Sequence, residues 1–379
     1  MDFPTRVRIG EGAVGALVEE VADHQLRRAL VVSDKGVVEA GLVARVARIL
    51  EGAQVEWHLF DKVQTNPEEE DVLAGVEAYR QSGADHLVAV GGGAAIDTAK
   101  GIRLLVNHPG PLSRYDDALG GGKHVTGELP PLFAVPTTAG TGSEVGRAFV
   151  VTLEGRKAVI FSPRLIPTAA ICDPVLTLGL PPEITAATGM DALSHNVEAY
   201  LARGFHPLAD AIAIRGISLV ARFLPRAVKS GAEDLDARTA MMSAALMGAV
   251  AFQKGLGGIH SLAHALGSEC GLHHGLANAL VMPTMLRFNA EAVPDRMLDV
   301  ATALGASGAG YGSEPGERAA QRVMSLCKDI GLPASLGELK IGPGMAEALV
   351  DAAHADGCHQ SNPRPVTRSD FVRLVESLF

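Results

Sequence analysis

The sequence predicts an α/β domain with a parallel sheet, followed by an all-helical domain. Three observations carry this. Up to about residue 180, short apolar runs alternate with helical patterns at the spacing of βαβ units. Beyond Pro181 the strand-like runs stop, and Ala/Leu/Met/His stretches of helical period take over. Of the 379 residues 47% are hydrophobic and 20% charged, enough to bury two cores and too little charge for disorder.

Taken in order, Arg28 to Val32 reads as a buried strand that ends in the turn Ser33-Asp34-Lys35-Gly36, and Gly41 to Leu50 follows with helical spacing. Val55 to Phe60 is a second strand and Glu68 to Gln81 a helix. Leu87 to Val90 is a third strand, running into Gly91-Gly92-Gly93, and Leu132 to Val135 a fourth, ending at Pro136-Thr137-Thr138. The strand order stays open. Leu119-Gly120-Gly121-Gly122-Lys123 reads as a plain loop. Pro181-Pro182-Glu183 marks the boundary, with Pro opening a helix and Glu in its first turn. The expected domains are 1–180 and 181–379, with Thr239 to Phe252 and His260 to Cys270 as helices of the second. No repeat of 20 to 50 residues is visible.

Composition excludes several functions. The net charge is -10, no basic run occurs and aromatics are only 4%, so nucleic acid is not an expected partner. No apolar stretch approaches the roughly 18 residues of a membrane span. Met1 to Arg6 shows no charged segment leading into an apolar one, so no signal peptide is expected. Cys172, Cys270, Cys327 and Cys358 form no CxxC pair, which suits a reducing compartment. The chain reads as cytoplasmic and globular.

Chemistry concentrates in three places. Gly91-Gly92-Gly93-Ala94-Ala95-Ile96-Asp97-Thr98-Ala99-Lys100 follows a strand and opens a helix, the arrangement that offers backbone N–H groups to a phosphate. It departs from the G-x-G-x-x-G fingerprint at Ile96 and is no Walker A loop, so a tight strand-to-helix turn is the competing reading. Pro136 to Val145 carries four hydroxyls and two glycines at another strand end, either as donors to a polyphosphate or as caps of a turn-rich connection. The third place is a set of histidines. Asp191 and His195 stand four apart in helical text, as do His260 and His264, and each pair shares a helix face able to grip one ion. A lone histidine on an apolar helix is usually a satisfied core residue; two such pairs favour a metal. Mixed imidazole and carboxylate ligands suit Zn²⁺ or Fe²⁺ better than Ca²⁺ or Mg²⁺.

With these motifs in this order, the chain resembles the iron-containing (group III) alcohol dehydrogenase family. That family sits beside glycerol dehydrogenase, maleylacetate reductase and dehydroquinate synthase. The resemblance runs from Asp34-Lys35-Gly36 through Gly91 to Asp97, Pro136 to Val145, Asp173-Pro174, Gly189 to His195, His260 to Gly267 and His274-Gly275, to Asn362-Pro363-Arg364. It implies a dehydroquinate synthase-like architecture and a metal held by Asp191, His195, His260 and His274. His264 is thereby moved out of the ligand set and becomes the candidate for relaying a proton, with a structural role as the alternative. Three neutral imidazoles and one carboxylate leave a 2+ ion with a net +1 site, open to a substrate oxygen.

On the cofactor side the resemblance implies Gly92, Gly93 and Ala94 against a pyrophosphate, with Thr137, Thr138 and Ser143 beside it and Asn66 and Lys157 nearby. Asp34 would accept from the adenosine ribose and repel a 2′-phosphate, which favours NAD over NADP. Ala94 stands where the family has Ser, removing one hydroxyl, and Gly146-Arg147 replaces the usual Thr. Arg147 is either a solvated loop residue or a contact for an anionic substrate; His273 reads as exposed or as a support for His274, and Cys270 as a small buried side chain. The implied activity is hydride transfer between a small alcohol or aldehyde and a nicotinamide, assisted by Fe²⁺ or Zn²⁺, in a homo-oligomer. A maleylacetate reductase-like reaction on a more polar carbonyl is the alternative within the superfamily, and a catalytically silent NAD-binding protein the alternative outside it.

Overall fold

The computed structural model describes residues 5–306 and 314–379; Met1 to Pro4 of the N-terminal reading lie outside them. By internal contacts the chain divides into Met1–Thr138 with Gly142–Gly179, and Ala139–Thr141 with Leu180–Phe379. The short insert joins the second unit because Gly140 lies against Thr188: a Cβ there would come within 2.8 Å of the Thr188 Cβ.

The first unit contains, in order, β1 (Arg6–Ile9), α1 (Leu17–Asp23), β2 (Arg28–Val32), α2 (Lys35–Glu39), α3 (Leu42–Gly52), β3 (Glu56–Phe60), α4 (Glu69–Ser82), β4 (His86–Gly91), α5 (Gly93–Asn107), β5 (Leu132–Pro136), β6 (Ala148–Leu153), β7 (Arg156–Phe161) and β8 (Ala169–Cys172). Six strands form one parallel sheet in the order β1-β8-β5-β4-β2-β3. Side-chain alternation divides each central strand between two cores. Leu30, Val32, Leu87 and Ala89 pack with Val72, Val76, Ile96 and Ile102 of α4 and α5. Ala29, Val31, Val88 and Val90 pack on the other face with Leu17, Val21, Val46 and Leu50 of α1 and α3. With both faces covered, these strands are apolar beyond their first residues, Arg28 and His86, which is why they stand out in the sequence.

The order reverses between β2 and β4. The chain leaves β2 toward α2 and α3 on one face, and leaves β4 into α5 on the other, so the ends of these neighbouring strands open the crevice in which sheets of this kind bind ligands.

Four strands went unrecognised in the sequence. β1 and β8 have four residues each. β6 and β7 form a separate antiparallel hairpin, turned by Glu154 and Gly155 at positive φ (49° and 80°). The stretch 119–123 is not a plain loop either, since it falls in two successive 3-10 turns, Asp117–Leu119 and Gly121–His124.

The second unit is helical: α6 (Pro182–Leu201), α7 (Pro207–Ser230), α8 (Leu235–Ala251), α9 (Gly258–Cys270), α10 (His274–Ala290), α11 (Pro294–Ala303), α12 (Pro315–Asp329), α13 (Ala346–Ala355) and α14 (Arg368–Glu376). Pro182 and Glu183 do open α6, where a missing N–H costs nothing and a carboxylate meets the positive helix end. From Gly189 to Leu201 every residue of α6 is buried. Its neighbours approach through glycine. A Cβ on Gly248 of α8 would lie 2.9 Å from both the His195 Cβ and Asn196 Nδ2, and one on Gly216 of α7 would collide with the Asn196 amide. None of the described helices is long and apolar enough to cross a membrane.

Candidate active site

α6 carries Asp191 and His195 one turn apart, α9 carries His260, and α10 begins at His274. One ligand atom each from Asp191, His195 and His260 lies within 4.8 Å of the other two. His274 Nε2 is 3.4 Å and His195 Nε2 3.8 Å from Asp191 Oδ1. The His195 and His260 rings stack at 4.7 Å, and His260 and His274 stand at 5.3 Å. Asp191, His195 and His260 are buried, whereas the His274 side chain is 29% exposed and forms the open side of the group.

Fit to a metal rests on the state of these donors. His260 Nδ1 is hydrogen-bonded to Glu198 Oε2 at 2.5 Å, where burial pushes the carboxyl up to about 8, and the ring's other nitrogen, Nε2, is buried with no hydrogen-bond partner. A neutral imidazole held this way has one lone pair to give. Burial, with His195 and His264 nearby, holds His260 well below the usual histidine range and keeps it neutral. Burial pushes the Asp191 carboxyl up, but His195, His274 and His260 outweigh it and keep it low, hence ionised. Asn278 Nδ2 donates to Asp191 Oδ1 at 2.9 Å and aims the carboxylate. An ionised carboxylate with imidazole nitrogens gathered around it suits a borderline divalent cation such as Fe²⁺ or Zn²⁺.

His264 lies beside this group. It stacks on His274 at 5.3 Å and meets His260 edge-on at 5.9 Å, while its Nδ1 is 2.8 Å from Asp356 Oδ2. His273 is exposed; its Nδ1 accepts from the Gly275 N–H at the start of α10. Cys270 is half-buried at the end of α9.

Sequence reasoning missed Glu198, Asn278 and Asp356. Glu198 carried a signal: Asp191, His195 and Glu198 follow the i, i+4, i+7 spacing of one helix face. Asp356 carried none, being 92 residues from His264.

In the first unit the glycine-rich loop runs from β4 straight into α5, as both readings of it require. Gly91 adopts φ 156°, where a Cβ would lie 2.7 Å from that of Ala95. Gly92 caps α5 with no side chain over it, so the first N–H groups, including those of Gly93 and Ala94, are left for a ligand. Thr138 adjoins Gly92, its Oγ1 being 3.3 Å from where a Cβ would stand, and the Thr137 N–H donates to Gly91 O at 3.0 Å. Asp34 caps α2 through Oδ1, which accepts from the Val37 N–H at 3.0 Å. Its Oδ2 would lie 3.6 Å from a Cβ on Gly91, at the strand reversal.

Other expected residues stand differently. Ser143 donates its hydroxyl proton to Asp97 Oδ1 at 2.5 Å and accepts from Lys100 Nζ at 2.9 Å, so this hydroxyl is spent inside the protein and has no proton for a phosphate. Buried Lys100 also donates to the carbonyls of Ser143, Gly146 and Ala148, clamping that loop to α5. Asn66 and Lys157 are both exposed and adjoin the hairpin: the Thr152 N–H donates to Pro67 O, and Thr152 pairs with Lys157. Arg147 lies 5.1 Å over the Phe161 ring.

Residues 4–174 match the model of iron-containing alcohol dehydrogenases, and residues 185–379 match the C-terminal model of the same family. The chain belongs to the iron-containing alcohol dehydrogenase family. It is 43% identical to 4-hydroxybutyrate dehydrogenase of Cupriavidus necator, over 99% of this chain and 98% of the relative. It is 37% identical to NAD-dependent methanol dehydrogenase of Bacillus methanolicus, over 99% and 98%. The solved structure of a 1,3-propanediol oxidoreductase superposes with a TM-score of 0.95 at 36% identity, covering 100% of this chain and 99% of that one. As a member of the iron-containing alcohol dehydrogenases, the protein is a metal-dependent, nicotinamide-linked oxidoreductase acting on CH–OH groups of small alcohols and the corresponding aldehydes.

Proposed function

We infer that Asp191, His195, His260 and His274 hold the catalytic metal, that His264 relays the proton, and that NAD is the cofactor. The observation that carries the reading is the buried, partnerless Nε2 of His260 next to Asp191 and His195. A 2+ ion bound there supplies Lewis acidity toward the substrate oxygen. Asn278 and Glu198 orient two of the ligands, and His264 stands beside them as acceptor of the substrate's hydroxyl proton; a bound nicotinamide would take the carbinol hydride. The bare N-terminus of α5 at Gly92, Gly93 and Ala94 suits a pyrophosphate, with Thr137 and Thr138 beside it. Asp34 Oδ2 suits the ribose hydroxyls, while Asn66 and Lys157 are proposed only as outlying contacts.

Relatives named for methanol and for 4-hydroxybutyrate both point to primary alcohols, one neutral and one bearing a carboxylate. We take the substrate to be a short primary alcohol or its aldehyde. A homo-oligomer acting in the cytoplasm completes the proposal; the four free cysteines suit a reducing compartment.

NADH oxidation by metal-stripped protein tests the reading, with short aldehydes that include an ω-carboxylate, before and after anaerobic addition of Fe²⁺ or Zn²⁺. Turnover should appear only with metal. Asp191→Ala and His274→Ala should lose bound metal and turnover and keep NADH binding. Unchanged metal content in both variants would overturn the ligand assignment. Silence under every metal with these aldehydes would overturn the short primary alcohol as substrate.

A further inference from the structure

Asp356 follows α13 directly and belongs to no motif, yet its carboxylate is shared between His264 and two donors that fix its orientation. Its Oδ2 is 2.8 Å from His264 Nδ1. Its Oδ1 accepts from the Ser261 hydroxyl at 2.7 Å and from the Cys358 N–H at 2.8 Å. Ser261 Oγ in turn accepts the His359 N–H at 2.9 Å, so the serine proton is committed to Asp356. A carboxylate only accepts hydrogen bonds, and a neutral imidazole carries one N–H. In the neutral ring this pairing puts the proton on Nδ1 and leaves the lone pair on Nε2.

We propose that Asp356 is a positioning residue that locks His264 in the Nδ1–H tautomer and so reserves Nε2 as a proton acceptor. The inference rests on the reading of His264 as the relay. In alcohol oxidation the hydroxyl proton passes to Nε2 while the hydride goes to the nicotinamide; the resulting imidazolium is balanced by Asp356, which keeps its charge. In reduction the proton returns to the substrate oxygen. Burial raises the Asp356 carboxyl, but the bonds from His264, Ser261 and the Cys358 N–H outweigh it and hold it well below the usual range, so it stays ionised and acceptor-only.

The geometry makes Asp356→Asn a sharp probe. The Cys358 N–H is a fixed donor, so the amide oxygen must occupy the Oδ1 position. The amide NH₂ then faces His264 Nδ1, which has to accept, and the ring proton moves to Nε2. An isosteric change would thus block proton acceptance. Asp356→Ala removes the lock without imposing the wrong tautomer.

The test is ring ¹⁵N spectroscopy on the full chain labelled at histidine, both metal-free and loaded with Zn²⁺, with His264 assigned by its loss in His264→Ala. The expected result is a protonated Nδ1 in the native protein and a protonated Nε2 in Asp356→Asn. In the same Asn variant kcat should fall about 10²-fold or more at unchanged metal content and unchanged KM for NADH. Asp356→Ala should be the milder variant; a purely structural role would make Asn milder. A protonated Nε2 in the native protein, an unmoved proton in the Asn variant, or an Asn variant milder than Ala would each overturn the proposal. Should the Asn variant not fold, the native spectrum decides alone. Wild-type turnover in His264→Ala would overturn only the relay reading, because the tautomer is read without turnover.

Discussion

Glu198 Oε2 lies 2.5 Å from Nδ1 of His260, while Oε1 of the same carboxyl accepts the Ile259 N–H at 2.6 Å. One buried side chain thus holds both the ring of a proposed metal ligand and the backbone that carries it. Glu198→Gln keeps the shape but pits an amide against the imidazole N–H. Loss of such a support typically weakens metal binding 10- to 100-fold. Competitive titration with a chelator should show a fall of about that size, with NADH affinity unchanged. Equal metal affinity in the two proteins would remove Glu198 from the site.

The proposed ribose contact of Asp34 can be tested separately. Its Oδ1 caps α2, and glycine is tolerated at an N-cap at a cost of only a few tenths of a kcal/mol. Asp34→Gly should therefore fold normally while losing the charge proposed to repel a 2′-phosphate. The ratio of kcat/KM with NADPH to that with NADH should rise about tenfold, the effect of roughly 1.4 kcal/mol. A constant ratio would show that the ribose is read elsewhere.

Buried Glu144 gives the first unit a pH-dependent stability. Burial pushes its carboxyl up to about 7, against an ordinary value of 4.5, despite the nearby Lys100. Between those values the native protein keeps a proton that the unfolded chain has released. Its contribution to stability therefore falls as pH rises from 4.5 to 7, by about 3 kcal/mol at most, and levels off above. Burial pulls Lys100 down to about 8, so it stays charged across most of that window. Denaturant melts should show Glu144→Gln gaining on the wild type between pH 5 and pH 7. A difference independent of pH would mean that Glu144 does not titrate there.

What the sequence revealed followed from burial. β2, β4 and β5 are covered on both faces and read as near-continuous apolar runs. The hairpin has one buried face, and its alternation from Ala148 to Leu153 with the two-residue turn Glu154-Gly155 was a fainter but legible sign. Strands as short as Ala169–Cys172 give pattern reasoning nothing to count. At the site, Asp191, His195, His260 and His264 announced themselves by spacing within helices, and the resemblance had to bring in His274. Asp356 meets His264 only because α13 packs on α9. Ser143 shows the opposite limit, since a hydroxyl in a glycine-rich loop looks ligand-ready until the buried Asp97 and Lys100 are seen to claim it.

The helix α6 has no side turned to water between Gly189 and Leu201, and its neighbours touch it where they carry glycine. Such a segment has almost no sequence freedom: a methyl added at Gly248 would press on the backbone-proximal carbon of His195 itself. Divergence toward new substrates must therefore be written elsewhere in the chain. A library meant to retune this enzyme would leave α6 and its glycine partners untouched and place its diversity in the loops.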